Sequence, residues 1–324
     1  MDKLITSVLA MLAGFLMQLP QALAQKYPER PLKIIIGYSS GTTDLIARYT
    51  AQQLTERLGQ NVVVENRPGA TGIIAVEAVA RAAPDGYTLA VVSSGEFTVL
   101  PALKRNLSYD PLRDFTPLAL LADIPVAYVI HPSVPASNIH EFIQYAKNNP
   151  GKVRFGSAGI GNILHLAGEM LKLRAGIDMV HVPYKGSGDM IPAVVGGQIE
   201  MIPLSPGSVA KFVSAGQLRA LAVSSAKRSE IMPSVPTMIE AGFPDFSVST
   251  WWGAVISAHV PEPIVTRLSG ELAAIAASSA FRSRIQELGG AVESLSRERF
   301  SAMIAKDIRN WRELGSAARI SLED

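Results

Sequence analysis

The chain contains no cysteine, which excludes disulfides, thiolate nucleophiles and cysteine-ligated zinc. Charge is scarce: 18% of the 324 residues are charged, and 30 basic against 28 acidic residues leave a net charge of +2. So small an excess does not make a nucleic-acid surface. After the N-terminus no apolar run approaches the roughly 20 residues that span a bilayer. Short repeats and low-complexity tracts are missing as well, which argues against solenoids and disordered tails.

What is present begins with a leader. Met1 to Ala24 has Lys3 near its start, an apolar stretch from Leu4 to Leu19, then Pro20 and the small-residue pattern Ala22-Leu23-Ala24. This is the form of a secretory signal cleaved after Ala24, and Thr6, Ser7, Gly14 and Gln18 interrupt the run where a membrane anchor needs continuity. The expected mature protein starts at Gln25 and is soluble in the periplasm. With 48% hydrophobic residues it has enough apolar material for one or two cores.

Short apolar runs then alternate with helical spacing, the pattern of βα units and a largely parallel sheet. Strands are predicted over Leu32 to Ile36, Val62 to Val64 and Thr88 to Val92, with helices from Ile46 to Leu58 and Ile73 to Arg81. Composition changes around Asp123 to Val126. A second set follows: strands Ala127 to Ile130, Val153 to Phe155, Met179 to Val182, Ile199 to Ile202 and Leu218 to Val223, and helices near Ile139 to Lys147, Ile163 to Leu173 and Met190 to Val195. Beyond Phe246 come Trp251 and two helical stretches, Ile264 to Ala277 and Arg297 to Leu314. The expected α/β architecture has two lobes, residues 25–124 with 246–324 and residues 125–245, joined by two crossings.

Ligands of open α/β sheets bind outside the carboxyl ends of strands, and three strand-to-helix loops lie there. They are Gly37 to Asp44, Gly156 to Asn162 and Pro183 to Asp189. Each precedes a helix start, where unpaired amides and the helix dipole favour an anion such as a carboxylate. The first loop offers hydroxyls, amides and one carboxylate but no cation from Ser39 to Asp44. Asp44 fits either the site or its own helix N-terminus. Tyr38, Trp251 and Trp252 fit pocket walls or core. Lys185 is the one cation in these loops and also suits a solvated helix start.

Catalytic motifs are weak. Leu164 stands where the third glycine of a dinucleotide fingerprint would fall. His165 and Glu169 have metal-compatible spacing, but no second histidine joins them locally. Ser93, Ser94 and Ser157 lie near strand ends, and none sits in a G-x-S-x-G elbow. No cofactor and no metal are expected.

Four segments resemble the Bug receptors, the substrate-binding proteins of tripartite tricarboxylate transporters. They are Tyr27-Pro28-Glu29-Arg30-Pro31-Leu32, Gly59-Gln60-Asn61-Val62-Val63-Val64-Glu65-Asn66-Arg67-Pro68-Gly69-Ala70, Pro84-Asp85-Gly86-Tyr87-Thr88-Leu89 and His181-Val182-Pro183-Tyr184-Lys185-Gly186. The resemblance continues through Gly196-Gly197-Gln198, Leu218 to Val223, Val235-Pro236-Thr237 and Glu240-Ala241-Gly242, so it covers the mature chain. It implies a two-lobe, type II-like periplasmic binding protein, monomeric and without catalytic residues, that closes on a small carboxylic acid and hands it to a membrane permease. An exported sensor subunit for a membrane kinase, or a hydrolase on the same fold, are the alternatives.

In that family the carboxylate is held by backbone amides, hydroxyls and ordered waters of the first two loops. The ligand-contacting set expected here is Tyr38, Ser39, Ser40, Gly41, Thr42, Thr43, Asp44, Ser94, Gly159, Gly161, Asn162, His165, Tyr184, Lys185 and Ser205. One departure falls within it: Gly37 to Asp44 lacks the family's proline and one glycine of a pair, and is one residue shorter. Asn162 stands where the family often has serine.

Overall fold

The computed structural model describes residues 27–244, 246, 248–318 and 322; the leader expected at Met1 to Ala24 lies outside them. The first lobe opens with strand β1 (Leu32–Ile36), helix α1 (Thr42–Leu58) and strand β2 (Val62–Asn66). In α1, Ile46, Ala47, Thr50, Ala51, Leu54 and Leu58 are buried at the spacing of a single helical face. Gly59 stops it in the left-handed conformation at φ 65°. Helix α2 (Ile73–Ala80) and strand β3 (Thr88–Ser93) follow, then a π-type turn over Gly95–Val99 that runs into the short helix α3 (Leu100–Leu103) and strand β4 (Phe115–Pro125).

The chain then builds a second sheet from β5 (Ala127–Ile130), α4 (Ile139–Asn148), β6 (Val153–Ser157), α5 (Ile163–Ala175), β7 (Met179–Pro183), α6 (Ser187–Val195), β8 (Met201–Leu204), α7 (Pro206–Ser214) and β9 (Arg219–Val223). It returns to the first sheet as β10 (Ser249–Ser257) and ends in α8 (Glu262–Ala277), α9 (Ser279–Glu287) and α10 (Arg297–Ala318).

The strand orders are β2-β1-β3-β10-β4 and β7-β6-β8-β5-β9. Each sheet is mixed: four strands run one way, and β10 in the first sheet and β5 in the second oppose them, where a mostly parallel sheet is expected from the sequence. Two neighbouring segments carry the chain between sheets: it leaves through Val126, directly after β4, and comes back through β10, which pairs with β4 from Ser249↔Pro125 to Ser257↔Phe115. Those two paired strands tie the sheets together at one edge of the cleft.

Several elements differ from the sequence expectation for physical reasons. Strand β4 is buried at five successive positions, Leu118 to Ala122, so it shows no alternation, and Pro117 argues against a strand until the chain around it is seen. The strand expected at Ile199 begins at Met201, because the Gly196-Gly197 turn, with Gly197 at φ 68°, delays the ladder. Glu200 there pairs instead with Arg154, Oε1 to Nη2 at 2.6 Å. Helices α7 and α9, nine residues each, start after Ser205 and Ser278 and are absent from the sequence expectation.

Candidate functional site

The sheets meet at a cavity of about 40 Å³ lined from both sides. Lobe one contributes Tyr38, Ser40, Thr42, Thr43 and Ser93; lobe two contributes Ala158, Asn162, Ile163, Leu164, Leu204 and Ser205; the connecting strands add Ile124, Pro125, Val126, Thr250 and Trp252. No charged side chain is in this lining. The N-termini of α1 and α5 and the N-cap Ser205 of α7 open onto it, which places partial positive charge where an anion would sit.

The hydroxyls and the amide are held in position by each other. Trp252 Nε1 donates to Thr43 Oγ1 at 2.9 Å, and Thr42 Oγ1 lies 3.4 Å from Ser205 Oγ across the lobes. Ser205 Oγ is also 2.7 Å from Ser208 Oγ. Asn162 caps α5 by accepting from Leu164 N at 2.9 Å, and its Nδ2 donates across the cleft to the Tyr38 hydroxyl at 3.1 Å. Tyr38 in turn donates to Glu96 Oε2 at 2.9 Å. Its ring belongs to lobe one by sequence yet packs with the core of lobe two.

The lobes touch through glycines. A Cβ on Gly207 would lie 2.1 Å from Glu287 O, on Gly186 2.9 Å from Ser40 O, and on Gly159 2.8 Å from Thr71 Oγ1. Thr71 Oγ1 donates to Ile160 O at 2.8 Å and Gly207 N to Leu288 O at 3.1 Å. This is a closed arrangement of the cleft.

Of the expected ligand set, the cavity brings together Tyr38, Ser40, Thr42, Thr43, Asn162 and Ser205. The others are placed elsewhere. Ser39 is exposed and gives its carbonyl to Asn66 at 3.3 Å. Gly41 is the N-cap of α1 at φ 104°. Asp44 is bound to Arg48 at 2.8 Å and to Asn66 at 2.9 Å; burial pushes its carboxyl up, and these two partners outweigh that and hold it below the usual range. Ser94 faces a different cleft, with Met170, Trp251, Asp307 and Trp311. Gly159 and Gly161 shape the turn before α5 at φ 112° and 78°. Tyr184 is half-buried and Lys185 exposed, both outside the cavity.

His165 is not in the cavity either. It accepts from Gly161 N at 3.2 Å and stacks on His181 with ring centroids 4.0 Å apart. Burial lowers both imidazoles, His181 to about 3 with His165 as the next cause. The unfolded chain therefore takes up protons first as pH falls below about 6.5. Folding stability is expected to decline from that pH toward 3, and His181→Phe to flatten the decline in urea midpoints measured across the range.

Sequence reasoning missed Glu96, which is 1% exposed and accepts from Ser93 N, Ser93 Oγ and Tyr38 Oη. The signal was one acid inside the apolar run from Leu89 to Leu103. It also missed the apolar walls Leu164 and Leu204, which face the cavity only once both sheets are assembled.

A family model described as tripartite tricarboxylate transporter family receptor matches residues 46–318. The chain belongs to this family. Among its relatives is the protein BugT of Bordetella pertussis, 34% identical over 294 residues that cover 89% of each chain. The structure of the periplasmic binding protein BugD superposes with a TM-score of 0.86 at 33% identity, covering 92% of this chain and all of that one (100%). The R. palustris protein Rpa4515, solved with adipate, superposes with a TM-score of 0.87 at 30% identity over 91% of this chain and 99% of its own. MatC of Rhodopseudomonas palustris, with bound malate, gives 0.84 at 30% identity over 89% and 99%. Like those structures, this receptor-family chain has the two-lobe fold of periplasmic binding proteins. Among its described residues no helix is long and apolar enough to cross a membrane, and no group of three or more His, Cys, Asp or Glu side chains could hold a metal.

Proposed function

We propose that this chain is a periplasmic solute receptor, exported with cleavage after Ala24, that closes its lobes, residues 25–124 with 246–324 and 125–245, on a small carboxylic acid. The monomer then delivers that acid to the membrane permease of a tripartite transporter. One observation carries the proposal: the interlobe cavity combines two helix N-termini with hydroxyls of Ser40, Thr42, Thr43 and Ser205 and has no charged side chain in its lining. Relatives solved with adipate and malate support it. Several charge-assisted hydrogen bonds, each about 1.5 to 3 kcal/mol, replace a salt bridge to arginine.

Titration calorimetry with malate and adipate tests this. Thr42→Val removes a hydroxyl from the cavity, and Asn162→Leu removes an amide that also caps α5. Each is expected to weaken binding by about 1 to 3 kcal/mol, or roughly five- to 150-fold. Lys185→Met, at an exposed position outside the cavity, should leave affinity unchanged. Loss of binding in Lys185→Met, with normal binding by both other variants, would overturn the neutral cage.

A further inference from the structure

The cavity holds no cation, yet a carboxyl group lies directly behind it. Glu96 is buried to 1% exposure on the π-type turn after β3, and it is bonded to two cavity-lining residues and through one of them to a third. Ser93 N donates to its Oε1 at 2.6 Å, Ser93 Oγ donates to Oε2, and Tyr38 Oη donates to Oε2 at 2.9 Å. Asn162 Nδ2 then donates to Tyr38 Oη at 3.1 Å.

A phenol has one proton to donate. While Glu96 is ionised, Tyr38 spends that proton on Glu96 and offers the cavity only lone pairs. A ligand carboxylate would meet an acceptor where it needs a donor, with a second anion one residue further back. Two neighbouring carboxylates, with no cationic side chain in the cavity lining, favour a state in which one of them holds a proton. Burial already pushes the Glu96 carboxyl up, against the pull of Ser93 and Tyr38.

We infer that the receptor takes up one proton with its carboxylate, that the proton resides on Glu96, and that it turns the Tyr38 hydroxyl into a donor to the ligand. The proton comes from solvent. It forms an O–H bond on Glu96 Oε2, which then donates to Tyr38 Oη, and the Tyr38 hydroxyl rotates its own hydrogen from Glu96 toward the ligand oxygen. No covalent bond to the ligand is made or broken. The inference rests on the proposed carboxylate site.

The titratable groups around Glu96 come from several elements, and among them Tyr38 alone hydrogen-bonds its carboxylate. From the loop before β4, Tyr109 donates its hydroxyl to the Glu96 main-chain carbonyl, and its phenol is raised by burial and then by the charges of Glu96 and Glu77. Glu77, on α2, is engaged by Ser108 Oγ. From β1 and its loop comes Tyr38, also raised by burial and by Glu96; from β3 comes Ser93; from α5 comes Asn162. On α10, which packs on the turn, Asp307 accepts from Trp251 Nε1 at 2.8 Å.

Calorimetry with malate and adipate, in phosphate and in Tris at each pH from 6.5 to 9, counts the protons taken up from the buffer. Wild type is expected to take up close to one proton per ligand at the alkaline end, with affinity rising up to about tenfold per unit fall in pH while free Glu96 is ionised. Glu96→Gln carries a permanent donor toward Tyr38. It should bind with no buffer-dependent enthalpy, and its pH-independent affinity should match that of wild type at low pH. A merely structural glutamate would leave buffer dependence unchanged in the variant. Binding without proton uptake in wild type overturns the inference and leaves the carboxylate site standing. No binding of either acid overturns both.

Discussion

A Gly207→Val receptor is expected to fold normally and to bind malate or adipate about 150-fold more weakly than wild type, or worse. Gly207 sits in the first turn of α7, and its backbone amide reaches Leu288 O at the end of α9, in the other lobe. A Cβ at this position would lie 2.1 Å from Glu287 O and 2.4 Å from the Leu288 Cα. Both are main-chain atoms at a helix end, so neither can turn aside as a side-chain tip does. Overpacking of this kind costs typically 1 to 3 kcal/mol and sometimes more, and about 3 kcal/mol corresponds to the stated loss. The penalty is expected to fall on closure of the proposed receptor, since Gly207 and Leu288 meet across the two lobes. Calorimetry gives the affinity and small-angle scattering gives the shape: the variant should stay extended at saturating wild-type ligand concentrations. Wild-type affinity with a compact bound form would refute it.

The largest effect on stability is expected from Phe300→Ala, at about 3 to 5 kcal/mol. Phe300 is fully buried on α10, with its ring edge-on to Trp251 at a centroid distance of 5.4 Å. Its Cζ lies 2.3 Å from where a Cβ of Gly253 would stand, so the ring fills the space that the glycine leaves on β10. Neither residue can expand into the vacated volume, and a residual cavity is what makes such truncations costly. The opposite face of β10 carries Thr250 and Trp252 into the ligand cavity, so binding should weaken alongside. Urea unfolding followed by circular dichroism measures the first effect, and a midpoint within error of wild type would contradict the assignment.

Much of the architecture is written locally. The buried face of α1, the Asn162 cap of α5 and the glycine stop at Gly59 are decided by residues within a turn or two, and spacing exposes them. The composition of the site was also legible, since Thr42, Thr43 and Asn162 stand where loops meet helix starts. What spacing cannot express is orientation across the cleft. Ser94 and Ser93 are adjacent, yet β3 ends at Ser93 and Ser94 already has the helical backbone of the turn that follows, and only Ser93 reaches the cavity. Asp44 looked available until Arg48, one helical turn later, and Asn66, on the neighbouring strand, were seen to hold it. Glu96 was hidden because its link to the cavity runs through Tyr38, 58 residues away, and from Tyr38 to Asn162, a further 124 residues apart in sequence.

The glycine contacts between the lobes also bear on time. Gly207, Gly186 and Gly159 bring main chain of one lobe against the other outside the lining of the cavity itself. In the proposed receptor, the parting of these lobe contacts is a step that the capture and the release of every ligand have in common. A transport partner of the proposed receptor would speed release by acting on that seam, prising Gly207 from Leu288 or Gly186 from Ser40.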